Sequence, residues 1–232
     1  VIDCCARSVV PAPKNCRYAA LSYVWGVDPE FASSGGPSDK GILPAVLPLT
    51  VEDTIAASLE LGIPFIWINR YCVPQDAEKE KHEQIRNMHR IYLCAEVTLV
   101  AVAGDGPDYG LLGVSKRRRV RQIEVLIGST LLLHTGNDSS ETLESSKWHR
   151  RAWTFQEVVL SRRRLIFTDD QLYFEGNRMG CRKSTEEPLL DIYDDDHYGS
   201  GIRFRTNLIP RSPDQPFMFL YLARTRLGGT LE

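Results

Sequence analysis

No stretch of this chain is apolar for long enough to cross a bilayer, and no basic, apolar and small-residue signal opens it, so no membrane span is expected. Charge of one sign is also missing: 28 basic residues against 30 acidic ones leave a net of -2, which gives no global pull toward nucleic acid. Phosphate-cradling glycine loops are absent. Gly104-Asp105-Gly106-Pro107 lacks the third glycine and following helix of a dinucleotide fingerprint, and no loop ends in Gly-Lys-Ser/Thr. The six cysteines show no paired zinc spacing, so no metal is expected. Cys72 and Cys94 lie in apolar stretches and read as buried free thiols, which points to a reducing, cytoplasmic setting. A disulfide among the early cysteines is the weaker alternative. No internal repeat is present. The chain starts at Val1 rather than Met and reads as a fragment.

What is present is ordinary globular material, 43% hydrophobic and 25% charged, in a chain long enough to bury a real core. Tyr18–Trp25 is rich in β-favouring residues, ends at Gly26 and predicts a buried strand delivered into the loop Val27–Leu47. A helix opens at Thr50, with Asp53 completing a capping-box pattern and Val51, Ile55 and Leu59 forming its apolar face. Gly62 and Pro64 stop it. Phe65–Ile68 predicts a strand covered on both sides, and Asn69–Gln75 a polar exit toward Asp76, a helix cap. Ile85, Met88, Ile91, Tyr92 and Ala95 make the core stripe of the next helix, and Val97–Ala103 is another strand. Strands alternating with helices predict an α/β fold with a parallel sheet, whose ligands bind outside the carboxyl ends of the strands. Residues 104–147 read as an insertion with a hairpin from Ile123 through Gly128-Ser129 to His134. Arg164–Thr168 and Gln171–Phe174 predict two more strands. Residues 1–17 read as an N-terminal extension, 18–181 as one domain, and 182–232 as a polar, acidic, partly disordered extension whose segment Phe217–Leu222 docks back.

Trp148–Ser161 carries the strongest chemical signal. On a helix Trp153 and Glu157 share one face, and the positions three and four residues from Glu157 include no base to neutralise it. Desolvation beside an aromatic tunes a carboxylate, and the ring can hold a flat ligand. The competing explanation is an acid paired through the fold with Arg150, Arg151 or one of Arg162–Arg164. Trp67 reads as core, Trp25 is balanced between core and ligand wall, and Ser22 between ligand contact and packing. Cys72 with His82 or His89 as base is a weaker nucleophile hypothesis. The basic runs Lys116–Arg121 and Arg162–Arg164 lack interleaved aromatics and read as solvated surface.

Three ordered blocks then carry a resemblance. Tyr18-Ala-Ala-Leu-Ser-Tyr-Val-Trp-Gly26, Phe65-Ile-Trp-Ile-Asn-Arg-Tyr-Cys-Val-Pro-Gln-Asp76 and Arg151-Ala-Trp-Thr-Phe-Gln-Glu-Val-Val-Leu-Ser161 together resemble the HET (heterokaryon incompatibility) domain of filamentous fungi, over roughly residues 18–176. The resemblance implies a TIR-like (flavodoxin-like) α/β fold and a role in programmed cell death after non-self recognition. TIR domains that cleave NAD carry a glutamate four residues after an aromatic on a helix that follows a strand. Trp153 and Glu157 match that arrangement. By this analogy Glu157 is the catalytic acid of an NAD(P) glycohydrolase, with NAD or NADP as substrate and no cofactor. Ser22, Tyr23, Trp25, Gly26, Asn69, Gln75, Arg151 and Trp153 are then the candidate ligand contacts. The partners implied are further copies of the domain and a sensor or receptor protein; the alternative is a non-enzymatic self-association module. Three positions depart from the family pattern: Asn69 stands where Asp is usual, Ala152 where Gly is usual and Leu112 where Pro is usual. Asn69 keeps hydrogen-bonding capacity but loses a negative charge, which weakens any role that needs a second carboxylate.

Overall fold

The computed structural model describes residues 1–26, 41–74, 78–114, 117–119, 123–133, 139–176 and 180–182. Strands β1 (Ile2–Asp3) and β2 (Ser8–Val9) precede β3 (Tyr18–Ser22), helix α1 (Leu49–Glu60) and β4 (Phe65–Trp67). A short helix α2 (Asn69–Cys72) and the long α3 (Glu78–Cys94) lead to β5 (Val97–Ala101). The hairpin β6 (Glu124–Ile127) and β7 (Thr130–Leu133), then α4 (Ser139–Ser145) and α5 (Ala152–Val159), separate β5 from β8 (Arg163–Phe167), β9 (Leu172–Gly176) and β10 (Gly180–Arg182).

Eight strands form one sheet in the order β10-β9-β8-β5-β3-β4-β1-β2. The expected parallel sheet forms the centre, and the sheet as a whole is mixed. β4, β3, β5 and β8 are parallel, because helices carry the chain between them, whereas β9, β10, β1 and β2 join by direct antiparallel pairing at the two edges. The two-residue strands of the N-terminal segment pair at the β4 edge, with Ile2 fully buried opposite Ile66. Among the described residues no helix is long and apolar enough to cross a membrane.

The central strands are apolar along their length because both faces are covered. Ala19, Ala20, Leu21, Ile66, Val97, Leu99 and Val100 are all at most 1% exposed. From β3 the chain passes through α1 to β4 on one side, then through α3 to β5 on the other side of β3. Right-handed crossovers in opposite directions place α1 and α3 on opposite faces. α5 packs against α3 and against β3, so α3 and α5 share one face.

Three local expectations are corrected. Thr50 and Asp53 do not cap α1, whose N-cap is Pro48 without a side-chain cap bond. Both side chains are buried and hold the loop after β5: Thr50 Oγ1 accepts from the Gly110 amide (3.1 Å) and Asp53 Oδ2 from the Leu111 amide (2.7 Å). Gly110 is required there. Its φ is +85°, and a Cβ would lie 2.7 Å from Asp53 Oδ2. Leu59, placed on the apolar face of α1, is 41% exposed. Steps of four residues overshoot the 3.6-residue turn, so the third member of the Val51, Ile55, Leu59 series rotates off the core. Cys94 is exposed, whereas Cys72 is buried; apolar neighbours in sequence do not put the last residue of a helix on its inner face. Cys4, Cys5 and Cys16 are free thiols. Thr98 and Ser161 join β5 to the end of α5: Ser161 donates to the Glu157 carbonyl, so Thr98 supplies the proton between the two hydroxyls, at 2.6 Å.

Candidate functional site

The carboxyl end of β3 faces the point where strand order reverses, between β3 and β5, and a doubly wound sheet opens its crevice there. Ser22 closes β3 and is fully buried. Its hydroxyl donates to Glu157 Oε2 across 135 residues of sequence. The same Ser22 oxygen accepts from Trp148 Nε1 at 2.9 Å. The order of donors is fixed: indole N–H to serine, serine O–H to carboxylate. A third contact comes from α3. Tyr92 is fully buried, donates to the Leu21 carbonyl at 3.2 Å and lies close enough to Glu157 to favour its charged form. The phenol has one proton, and it goes to the Leu21 carbonyl.

Burial holds Glu157 above the usual carboxylate range, while Ser22, the Arg151 charge and Tyr92 oppose that shift in decreasing order. Burial, joined by the Glu157 charge, pushes the Tyr92 phenol far up. Arg151 lies one and a half turns before Glu157 and donates through Nη1 to the Tyr23 carbonyl, so it is a neighbouring charge to the acid rather than a direct partner. Of the arginines weighed as competing partners, Arg151 is thus the one beside Glu157, while Arg164 pairs with Glu175 at 3.2 Å across β8 and β9.

Two polar groups at this end have no hydrogen bond although they are buried: the Tyr23 hydroxyl and Asn69 Oδ1. Tyr23 follows Ser22, and Asn69 opens α2 directly beyond β4, the parallel neighbour of β3. The charges of Arg70, Arg151 and Glu157 all reach the Tyr23 hydroxyl. Buried polar atoms without partners cost about 1–3 kcal/mol each and mark places where a ligand or water completes the structure.

The other expected site residues separate. Trp25 is half-buried and packs on the core. Gly26 has φ +81°, and the close neighbour its missing side chain admits is Pro107, whose Cδ lies 3.0 Å from a built Cβ. Gln75 and the expected cap Asp76 lie outside the described residues, as do residues 27–40, Phe217–Leu222 and the Trp153 side chain. Trp67 is core, in an edge-to-face contact with Tyr92 at 5.5 Å. Burial raises the Cys72 thiol, and the ring nitrogens of His82 and His89 are tied to carbonyls of their own helix, so neither activates it as a nucleophile. Among the described residues no group of three or more His, Cys, Asp or Glu is placed to hold a metal ion. Sequence reasoning left out Tyr92 and Trp148 as site residues. The available signal was their chemistry: a buried tyrosine or tryptophan still has a polar tip to satisfy.

Fold and site together define an α/β domain with a buried carboxylate at the switch point of its sheet. The chain belongs to the heterokaryon incompatibility family: the family model described as heterokaryon incompatibility protein (HET) matches residues 18–157, which takes in β3 through the candidate acid. No curated protein and no solved structure matches the chain.

Proposed function

We propose that this chain is a TIR-like effector domain of heterokaryon incompatibility and programmed cell death that hydrolyses NAD or NADP at the nicotinamide glycosidic bond, with Glu157 as the catalytic residue. The observation that carries the reading is the convergence of a buried, upward-shifted carboxylate with two unsatisfied polar groups, Tyr23 and Asn69, at the carboxyl ends of β3 and β4.

In this reaction the bond from ribose C1′ to the pyridinium nitrogen breaks and its electron pair stays on nicotinamide, which leaves neutral. Water adds to the cation-like C1′ and releases one proton. Because the leaving group needs no protonation, one carboxylate suffices: it stabilises the positive ribose and takes the proton from water. A carboxyl raised toward neutrality suits the second task. The Tyr23 hydroxyl can donate to, and Asn69 Oδ1 accept from, ribose hydroxyls or the carboxamide. Trp153, one turn before Glu157 on α5, supplies the stacking surface, and Arg151 the charge for the diphosphate once released from the Tyr23 carbonyl. Ser22 positions Glu157. Trp25, Gly26 and Gln75 remain candidate ligand contacts of this reading by the family resemblance alone. The setting is cytoplasmic, and assembly with further copies or with a sensor partner switches the activity on.

A second reading, a non-enzymatic self-association module, is favoured by one observation: Glu157 is only 3% exposed, so substrate reaches it only after its cover opens. The two separate in one assay. Protein clustered by a fused oligomeriser is incubated with NAD or NADP and nicotinamide release is measured beside Glu157→Gln. Release by the parent and none by the variant is the expected result. No release from demonstrably assembled parent establishes the module instead.

A further inference from the structure

The hairpin β6–β7 stands apart from the site and from the core. Its strands pair Val125 with Leu132, Leu126 with Leu131 and Ile127 with Thr130. Alternation along the strands sends Val125, Ile127 and Leu132 to one face and Leu126 to the other. A hairpin lying on a protein surface buries one of these faces. Here both are in water: Val125 is 49% exposed, Leu126 68%, Ile127 61% and Leu132 51%, and Ile123 at the base is 64% exposed. Single exposed apolar residues are ordinary, but four on one two-stranded element and a fifth at its base are not. An isolated hairpin is also marginally stable by itself, so an apolar one standing in water needs something to cover it.

The charge pattern beside it selects the cover. Residues 116–134 hold five basic residues, Lys116, Arg117, Arg118, Arg119 and Arg121, against one acid, Glu124. Arg117 and Arg118 are exposed, and Arg119 folds back over the Phe167 ring at 5.9 Å. The apolar end, Leu126-Ile127-Gly128-Ser129-Thr130, is therefore separated along the chain from a cationic base. A second copy laid on one face would leave the other face wet. A hydrocarbon–headgroup boundary covers both faces of the tip and sets the cations of the base against lipid phosphates.

We infer that the β6–β7 hairpin is a membrane-docking element: its tip inserts at the surface of an anionic bilayer while Arg117 and Arg118 bind the headgroups. This docking lies on a surface rather than across the membrane, and it does not depend on the hydrolase reading, since Glu157 takes no part in it.

The 232-residue chain is sedimented with vesicles of phosphatidylcholine alone and with vesicles holding about a third phosphatidylserine, at low and physiological salt. Binding to the anionic vesicles, weakened by salt and much weaker on neutral ones, is expected. Leu126→Asp with Ile127→Asp should lower the partition coefficient more than tenfold. Arg117→Glu with Arg118→Glu should lower it by at least 25-fold, since each basic residue near the surface contributes about a factor of five. An unchanged circular dichroism spectrum and melting temperature show that the variants fold, and the two pairs act on separate features, so either keeps the test open if the other misfolds. Absent binding, equal binding by parent and variants, or binding indifferent to lipid charge overturns the inference. A dimer that is lost with the Leu126/Ile127 pair, in protein that ignores vesicles, overturns it in favour of a second copy.

Discussion

Removing one oxygen, in Ser22→Ala, tests the polar network at the site. The Ser22 hydroxyl serves two buried partners at once, donating to Glu157 and accepting from Trp148 Nε1. All three residues are at most 4% exposed, so water does not replace the lost atom. A hydrogen bond to a charged group contributes about 1.5–3 kcal/mol, and an indole N–H left unsatisfied costs about 1–3 kcal/mol. With partial relaxation the expected loss is about 3 kcal/mol. Urea unfolding at pH 7 reads this as a midpoint lowered by about 1–2 M, with slope unchanged. The loss should depend on pH. The hydroxyl favours the carboxylate, so its removal moves the folded-state Glu157 further up, away from its unfolded value near 4.5. From that value upward the native state then holds a proton that the unfolded state has released, and stability falls as pH rises through the window. The deficit of the variant is therefore largest at neutral pH and shrinks toward pH 4.5, below which Glu157 is protonated in both states. A double-mutant cycle with Glu157→Gln isolates the coupling. A deficit below about 0.5 kcal/mol, or one equal at both pH values, would refute the reasoning.

Two further perturbations test the scaffold that carries the site. Gly110→Ala forces an L side chain into φ +85° and a Cβ against Asp53 Oδ2, so a loss of about 2–3 kcal/mol is expected by thermal or urea unfolding, and no loss would deny the tie between α1 and the loop after β5. Arg164→Met strands the Glu175 carboxylate, 6% exposed in its side chain, and should cost about 3–5 kcal/mol, whereas Arg164→Met with Glu175→Leu should restore most of it; equal losses from the single and double variants would show that the pair is not an energetic unit.

The central sheet was legible because burial on both faces makes its strands continuous apolar runs, and the run does not depend on distant residues. The edges were not. β1 and β2 are two residues long, too short to carry any periodicity, and exist because β4 offers an open edge to Ile2 and Asp3. Thr50 and Asp53 have the spacing of a cap, but a loop 60 residues away in sequence takes both side chains. At the site, the sequence named Glu157 and Ser22 separately and left Ser22 balanced between packing and ligand contact. Their bond spans 135 residues and no local pattern encodes it. Tyr92 was read correctly as core, since periodicity reports which residues turn inward. Which group a buried hydroxyl meets is a property of the packed layers.

The energetics of Glu157 bear on what the site is for. A domain core gains nothing from an acid here: the carboxylate is desolvated, lies above its ordinary range and so costs stability at neutral pH, and an apolar residue in its place avoids that cost. Ser22, Tyr92 and the Arg151 charge reduce the cost without cancelling it, since the shift stays upward. The Ser22 bond also holds the side chain in one orientation, as a catalytic group requires and a packing residue does not. The unsatisfied Tyr23 hydroxyl and Asn69 carbonyl add to the same imbalance on the adjoining strand ends. Three stability costs at the carboxyl ends of β3 and β4 and the helix beside them are hard to account for as packing, because any one could be relieved by a local substitution. The ligand of the proposed function, bound at these strand ends, would offset all three together.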